Sequence, residues 1–215
     1  MAVIHRTDLK PSKLELLTSW LPSRPWYRGG TGTPRLSKAG GFRLDDPRGE
    51  VGIEFLVVTD TSGPDPTTYL VPLTYRGAPL DGAGHALVGT MDHGVLGPRW
   101  AYDGCHDPVL LDRLAALIEG RAQAQDQNTS DTPDHEVGVS FTSFTGEGPL
   151  PTDLTAADDQ EGTALASPRG TVLRLHRVLR PEDDSAPAGR GGSGRVTAVW
   201  RSPEGDRVRG VIATL

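Results

Sequence analysis

The sequence predicts an α+β fold, an antiparallel β-sheet of roughly six or seven strands with two α-helices packed on it. Three observations carry this. Residues 51–59 and 69–75 alternate side-chain character with the period of strands. Only two stretches, 11–21 and 108–123, space their leucines at helical intervals. The last third of the chain holds further strand-like runs, separated by segments rich in Gly, Pro, Asp and Ser.

The first helix is expected over 11–21, with Pro11 in its first turn and Leu14, Leu17 and Leu21 on one face beside Leu16 and Trp20. Pro22 and Pro25 end it, and Gly29 to Gly32 read as a loop. A short strand at 42–44 leads to the strand 51–59, half-buried in its first half and apolar on both faces in its second. Turn chemistry in 60–68 makes 51–59 and 69–75 a hairpin. Pro72 cannot donate to a ladder, so the second strand is expected at an edge or with a bulge. A further strand is expected at 99–103. The clearest element is the helix 108–123, with Asp107 as N-cap, Pro108 as first residue, and a stripe of Leu110, Leu111, Leu114, Leu117 and Ile118. Residues 123–134 read as a solvated linker. The strands 137–144, 170–179, 195–201 and 208–214 follow, the last two joined by a tight turn at Ser202 to Asp206. The whole is expected to be one domain over 1–215. Its core is at about 3–124, with a looser strand extension at 136–215 and mobile segments at 124–135, 145–169 and 181–194.

With 27 Gly and 18 Pro among 215 residues and 36% hydrophobic residues, an ordinary core interrupted by long loops is expected. A net charge of −6, with no cluster of Lys and Arg, argues against a nucleic-acid module. A single cysteine, Cys105, excludes an internal disulfide and suits a reducing compartment. No apolar run is long enough to span a membrane, and the N-terminus has no secretory core, so a cytoplasmic protein is expected.

The densest group of reactive side chains lies between His93 and Asp107, and includes Asp103, Cys105 and His106. Cys105 with His106 offers a nucleophile and a base, but neighbours in sequence rarely bring such side chains together. His93, Asp103, Cys105 and His106 offer metal-ligand types without a recognised spacing. The structural reading is a loop whose Asp107 caps the following helix, and it is preferred. Gly189 to Gly194 matches the dinucleotide fingerprint in letters but lacks the strand before it and the helix after it. Asp45, Asp46 and Glu50 read as a solvated turn. Glu54 lies within an apolar strand and needs either solvent or a partner, with Arg43, Arg76 and Arg99 as candidates. Trp20, Trp26, Tyr27, Trp100 and Tyr102 are assigned first to the core.

Several segments in order carry a family resemblance. They are Trp20-Leu21-Pro22, Pro25-Trp26-Tyr27, Gly40 to Asp45, Val51 to Phe55, Tyr69 to Arg76, Leu87 to Thr90, His93 to Gly97 and Arg99 to Asp103. Together they resemble the N-terminal cap domain of maltokinases over about residues 3–124. The resemblance implies a cystatin-like curved antiparallel sheet flanked by helices. In a full maltokinase the cap precedes an ATP-binding lobe and a catalytic lobe that phosphorylates maltose at its anomeric hydroxyl, and this chain is expected to lack both. His93-Gly94 is followed by Val95, not Asp, and Asn128 is the sole asparagine. Arg174 stands where the loosely similar kinase strand carries its ATP-binding lysine.

The expected function is therefore that of a non-catalytic, cap-like binding or regulatory module in trehalose, maltose and α-glucan metabolism. It would act through a partner enzyme of maltokinase or trehalose-synthase type, or through a small carbohydrate or nucleotide ligand. Arg99, Trp100, Tyr102, Asp103 and His106 are the expected binding residues. No catalytic residue, metal, cofactor, nucleic acid or membrane is assigned. The alternative is a split or remnant phosphotransferase, or another enzyme using His93, Asp103 and His106.

Overall fold

The computed structural model describes residues 9–141, 150–168, 170, 172–182 and 194–215. Strand β1 (Leu9–Lys10) leads into helix α1 (Lys13–Trp20) and a 3₁₀ turn (Leu21–Ser23). Next come β2 (Leu36–Leu44), β3 (Gly52–Asp60), β4 (Thr67–Arg76), β5 (Leu87–His93) and β6 (Gly97–Asp103). Helix α2 (Pro108–Ile118) is followed by β7 (Gln125–Asp126) and β8 (Gly138–Phe141). The C-terminal strands are β9 (Thr155–Asp159), β10 (Gly162–Ala166), β11 (Val172–His176), β12 (Val178–Leu179), β13 (Gly194–Arg201) and β14 (Arg207–Thr214). The class is α+β with two α-helices, as expected, but among the described residues the sheet has 14 strands, not six or seven.

The sheet curls back on itself. Its order is β1-β5-β6-β4-β3-β2-β13-β14-β11-β10-β9, while β12 pairs with β4. Only Arg177 separates β11 from β12, so the path β4-β3-β2-β13-β14-β11 returns through β12 to its start. Closure of this kind removes free strand edges from the middle of the molecule. The seam between the halves is narrow: β2 meets β13 through the single register pair Gly40 and Trp200. A Cβ on Gly40 would come within 3.2 Å of the Trp200 Cα, which explains a glycine at the crossing.

Two apolar layers use the two faces of the central strands. Ile53, Phe55 and Val57 of β3 share a core with Leu110, Leu111 and Leu114 of α2 and with Leu165, Leu175, Val196 and Ile212 of the C-terminal strands. Leu56 and Val58 point the other way, against Leu17, Trp20, Leu21 and Trp26. Strand β3 is thus buried on both faces for its whole length beyond Gly52, not only in its second half.

Several expected boundaries change for identifiable reasons. Helix α1 starts after Pro11, because Ser12 is the N-cap: its hydroxyl accepts from Glu15 N while Glu15 accepts from Ser12 N. Helix α2 is capped by Asp107 as expected but stops five residues early, where Gly120 at φ +72° lets Arg121 N return to Ala116 O. Pro72 does not mark an edge strand, since β4 lies inside the sheet. Beside β4, β6 covers Leu73–Arg76 and β12 covers Thr68 and Tyr69, and Pro72 falls in the gap. Leu70 N donates into that gap, to Arg177 O at 2.9 Å, so the missing donor of Pro72 faces the same interruption.

The turn-rich stretch before Gly170 contains the hairpin β9–β10, with Gly162 paired to Asp159. The 123–134 stretch supplies β7, which pairs with Phe42 and Arg43 of β2, and buries Ala124 and Gln127. The turn at Ser202 to Asp206 closes as expected, Ser202 N donating to Asp206 O at 2.8 Å. Much of 181–194, including the Gly-rich 189–193, and residues 145–149 lie outside the described residues.

Gly41 gives the fold a sharp test. It adopts φ +133°, and a Cβ there would lie 2.3 Å from Phe55 O and 2.8 Å from Gln127 Nε2. Gly41→Ala is expected to cost well over about 1 kcal/mol, because strain and a backbone clash add. Urea unfolding measures it; a midpoint matching wild type would contradict the register of β2 on β3.

Candidate functional site

The connection between β4 and β5, residues 77–86, is rich in Gly, Ala and Pro and ends in a 3₁₀ turn at Gly84–Ala86. Tyr102 of β6 fastens it: the ring packs with Ala83 and Ala86, and the hydroxyl accepts from Leu80 N at 2.9 Å. A second 3₁₀ turn, Gly104–His106, joins β6 to α2 and is held by Asp103, whose carboxylate accepts from Cys105 N at 3.1 Å. The two turns face one another through His85 and His106. Their rings are perpendicular, with centroids 4.7 Å apart, and Nε2 of His85 lies 3.2 Å from Nδ1 of His106.

This pair lines a groove of about 560 Å³. Leu80 and Asp81 form one wall, Pro108 and Leu111 belong to α2, and Thr152 to Ala156 close the other side. Burial holds the His106 imidazole below the ordinary histidine range, with His85 adding to the effect and Asp103 opposing it. His106 is therefore neutral at pH 7, able to donate from one nitrogen and accept at the other.

Behind the groove lies a buried ionic cluster. Arg177, fully buried, donates to both Asp103 oxygens at 2.8 and 2.7 Å, to Thr163 Oγ1 at 2.7 Å and to Cys105 Sγ at 3.2 Å. Its guanidinium also lies 5.0 Å from the centre of the Trp26 ring. The cluster joins β11–β12 and β10 to the end of β6. It ties the late strands to the early ones at this point.

Of the expected binding residues, only His106 lines the groove. Tyr102 and Trp100 pack behind the 77–86 wall. Asp103 is 1% exposed and committed to Arg177. Arg99 donates to Pro98 O at 3.0 Å and stays outside. His93 sits at the other end of the β5–β6 hairpin, six residue steps or about 20 Å from the Asp103 end, and accepts from Leu96 N at 3.1 Å. His93, Asp103 and His106 therefore do not form one site. Cys105 is buried, and burial pushes its thiol far above the ordinary range despite the pull of Arg177, which rules against a thiolate nucleophile. Asp107 spends its carboxylate on Val109 N at 2.9 Å and on two bonds from Arg76 at 2.7 Å each.

His85 and the wall 152–156 were not legible in the sequence. A lone histidine in a Gly-rich loop carries no periodic signal, and its partner is 21 residues away. Among the described residues, no three His, Cys, Asp or Glu side chains gather as a metal-ion site. None of the described helices is long and apolar enough to cross a membrane.

Fold and groove together define an α+β module with a ligand-sized cleft between its early and late strands. The model of one family, the maltokinase N-terminal cap domain, matches residues 20–107, so that this segment of the chain is similar to that domain. The match takes in β2 to β6, the 77–86 wall and both histidines, and stops at the cap of α2. No curated protein matches the sequence.

Proposed function

We propose that this chain is a non-catalytic cap-type binding module that serves maltose, trehalose and α-glucan metabolism and takes a small carbohydrate or sugar phosphate in the groove. One observation carries the reading: the cap-type segment supplies Leu80 to His106 on one side of the groove, and residues beyond the match, Thr152 to Ala156, supply the other. A ligand there would touch both. The lining suits it, with apolar Leu80, Pro108 and Leu111 beside His85, His106, Asp81, Asp153 and Thr155. The inaccessible Cys105 and the scattering of His93, Asp103 and His106 favour binding over catalysis. The cystatin-like curvature, the cytoplasmic setting and the single-domain organisation belong to the same proposal.

A thermal-shift series on chelator-treated protein with maltose, trehalose, maltose 1-phosphate and ATP–Mg²⁺ tests it. A ligand at 100 times its Kd adds about 2.7 kcal/mol, or roughly 5–10 °C for a chain of this size. The expected result is a shift with one sugar compound that Asp153→Ala abolishes. A flat response to all four at saturating concentration would sink the small-ligand reading and leave a protein partner as the way the module works.

A further inference from the structure

We infer that His85 and His106 form a chelating pair for a borderline divalent transition-metal ion such as Zn²⁺ or Cu²⁺ at the mouth of the groove. The geometry is the argument. Two imidazole nitrogens, each 2.0–2.1 Å from one ion and at right or tetrahedral angles, stand about 2.9–3.4 Å apart. Nε2 of His85 and Nδ1 of His106 are 3.2 Å apart. Two rings joined end to end through a straight N–H···N bond would hold their centres farther apart than the 4.7 Å observed. The rings are instead turned off that line, and a 3.2 Å nitrogen separation with centres 4.7 Å apart matches two adjacent ligands of one ion. The ring that donates moves its proton through solvent to its other nitrogen, so that both facing nitrogens offer lone pairs to the metal.

Both imidazoles are also pre-positioned, which spares much of the ordering that a flexible site requires. His106 ends a 3₁₀ turn that Asp103 holds through Cys105 N at 3.1 Å, and Asp103 is itself fixed by the buried Arg177. His85 sits in a turn closed by Ala86 N donating to Ala83 O at 3.0 Å, with Tyr102 anchoring the segment at Leu80 N. Asp81 and Asp153 line the same groove and add negative charge nearby. The protein contributes two nitrogens and the groove leaves the remaining positions to water or to a ligand oxygen, so this is an open site, not a closed structural one. Imidazole donors select Cu²⁺ and Zn²⁺ over Mg²⁺ or Ca²⁺, and the ordinary order of affinities places Cu²⁺ first.

This inference goes beyond the carbohydrate reading and does not depend on it, because the metal is titrated with no sugar present. The test uses the full chain without a histidine tag, stripped by chelator and titrated calorimetrically with ZnCl₂ and, separately, CuCl₂. One equivalent of each is expected, Cu²⁺ the tighter, with MgCl₂ giving no heat of binding. His85→Ala, at an exposed position, is expected to weaken both at least tenfold while leaving the melting temperature of the stripped protein in place. His106→Ala is expected to do the same to binding, and His93→Ala to leave it unchanged. Electron paramagnetic resonance of the Cu²⁺ form supplies a readout that no folding defect imitates, hyperfine coupling to two imidazole nitrogens. Undiminished binding in His85→Ala, or coupling to fewer than two nitrogens, would overturn the assignment. Failure of the sugar panel would leave it untouched.

Discussion

Replacing Arg177 with methionine is expected to destabilise the protein by about 3–5 kcal/mol, the usual cost of removing one partner from a buried ion pair. The reason is what remains. Asp103 is 1% exposed, and without Arg177 it is left with neutral partners such as Cys105 N for a carboxylate that solvent cannot reach. Thr163 loses its donor, and the Trp26 face loses the cation stacked on it. The position matters as much as the energy, since Arg177 stands between β11 and β12 where the sheet returns to β4. The double variant Arg177→Met with Asp103→Asn removes both charges and is expected to recover a substantial part of the loss. Urea unfolding of the four proteins in the cycle yields the coupling directly. A single-variant loss below about 1 kcal/mol would mean that this pair does not clamp the late strands to the early ones.

That clamp marks the limit of what the chain reveals before folding. The elements with a strong local period were legible: the leucine stripe of α2, its Asp107 cap, the alternation in β3 and β4, and the hairpin of β13 and β14. The likeness of the stretch 20–107 to the maltokinase cap domain was also legible, in the order of its motifs. What failed to show was anything whose stability is tertiary. Strand β9 reads Thr-Ala-Ala-Asp-Asp, with no apolar alternation, and exists because β10 pairs with it along all five residues. Gln127 looked like one more polar residue in a linker, yet it is buried to complete a hydrogen-bond network. The candidate site divided in the same way. Chemistry-bearing residues from 93 to 107 stood out by density, but chain proximity does not decide side-chain direction. Asp103 turned inward to an arginine 74 residues away, and His106 turned outward to a histidine no pattern had marked. Sequence spacing could find the turn; only the closed sheet could pair its members.

Glu54 supplies the second large effect, with a distinct dependence on pH. It is 4% exposed, and of the arginines expected to meet it Arg76 is bonded to Asp107 and Arg99 to Pro98 O. Its partners are Lys13 Nζ at 2.6 Å, Tyr75 OH at 2.6 Å and Gln127 Nε2 at 2.7 Å, one each from α1, β4 and the segment after β7. Burial pushes its carboxyl upward, but the charge of Lys13 and the hydrogen bonds from all three partners outweigh this and hold it below its ordinary value of 4.5. Burial likewise raises the Tyr75 hydroxyl well above its ordinary value, reinforced by the Glu54 charge and by the bond to it, so Tyr75 remains a donor throughout the neutral range. Glu54→Ala is expected to cost about 3–5 kcal/mol at pH 7, because the loss of a buried charge partner leaves Tyr75 and Gln127 unsatisfied as well. Glu54→Gln keeps the shape and costs less. Because the folded carboxyl titrates below the unfolded one, its stabilisation is fully present above pH 4.5 and is lost as the pH falls through the depressed folded value. The gap between wild type and Glu54→Gln is therefore expected to be widest at neutral pH and to close under acid conditions, where the native glutamate becomes a neutral acid of similar shape. Urea midpoints for both proteins from pH 7 down to pH 3 trace that closure. A gap that stays constant over the range would mean that the carboxyl titrates alike in the folded and unfolded chain, and a wild type that gains on Glu54→Gln toward acid would mean that burial, not Lys13, decides its state.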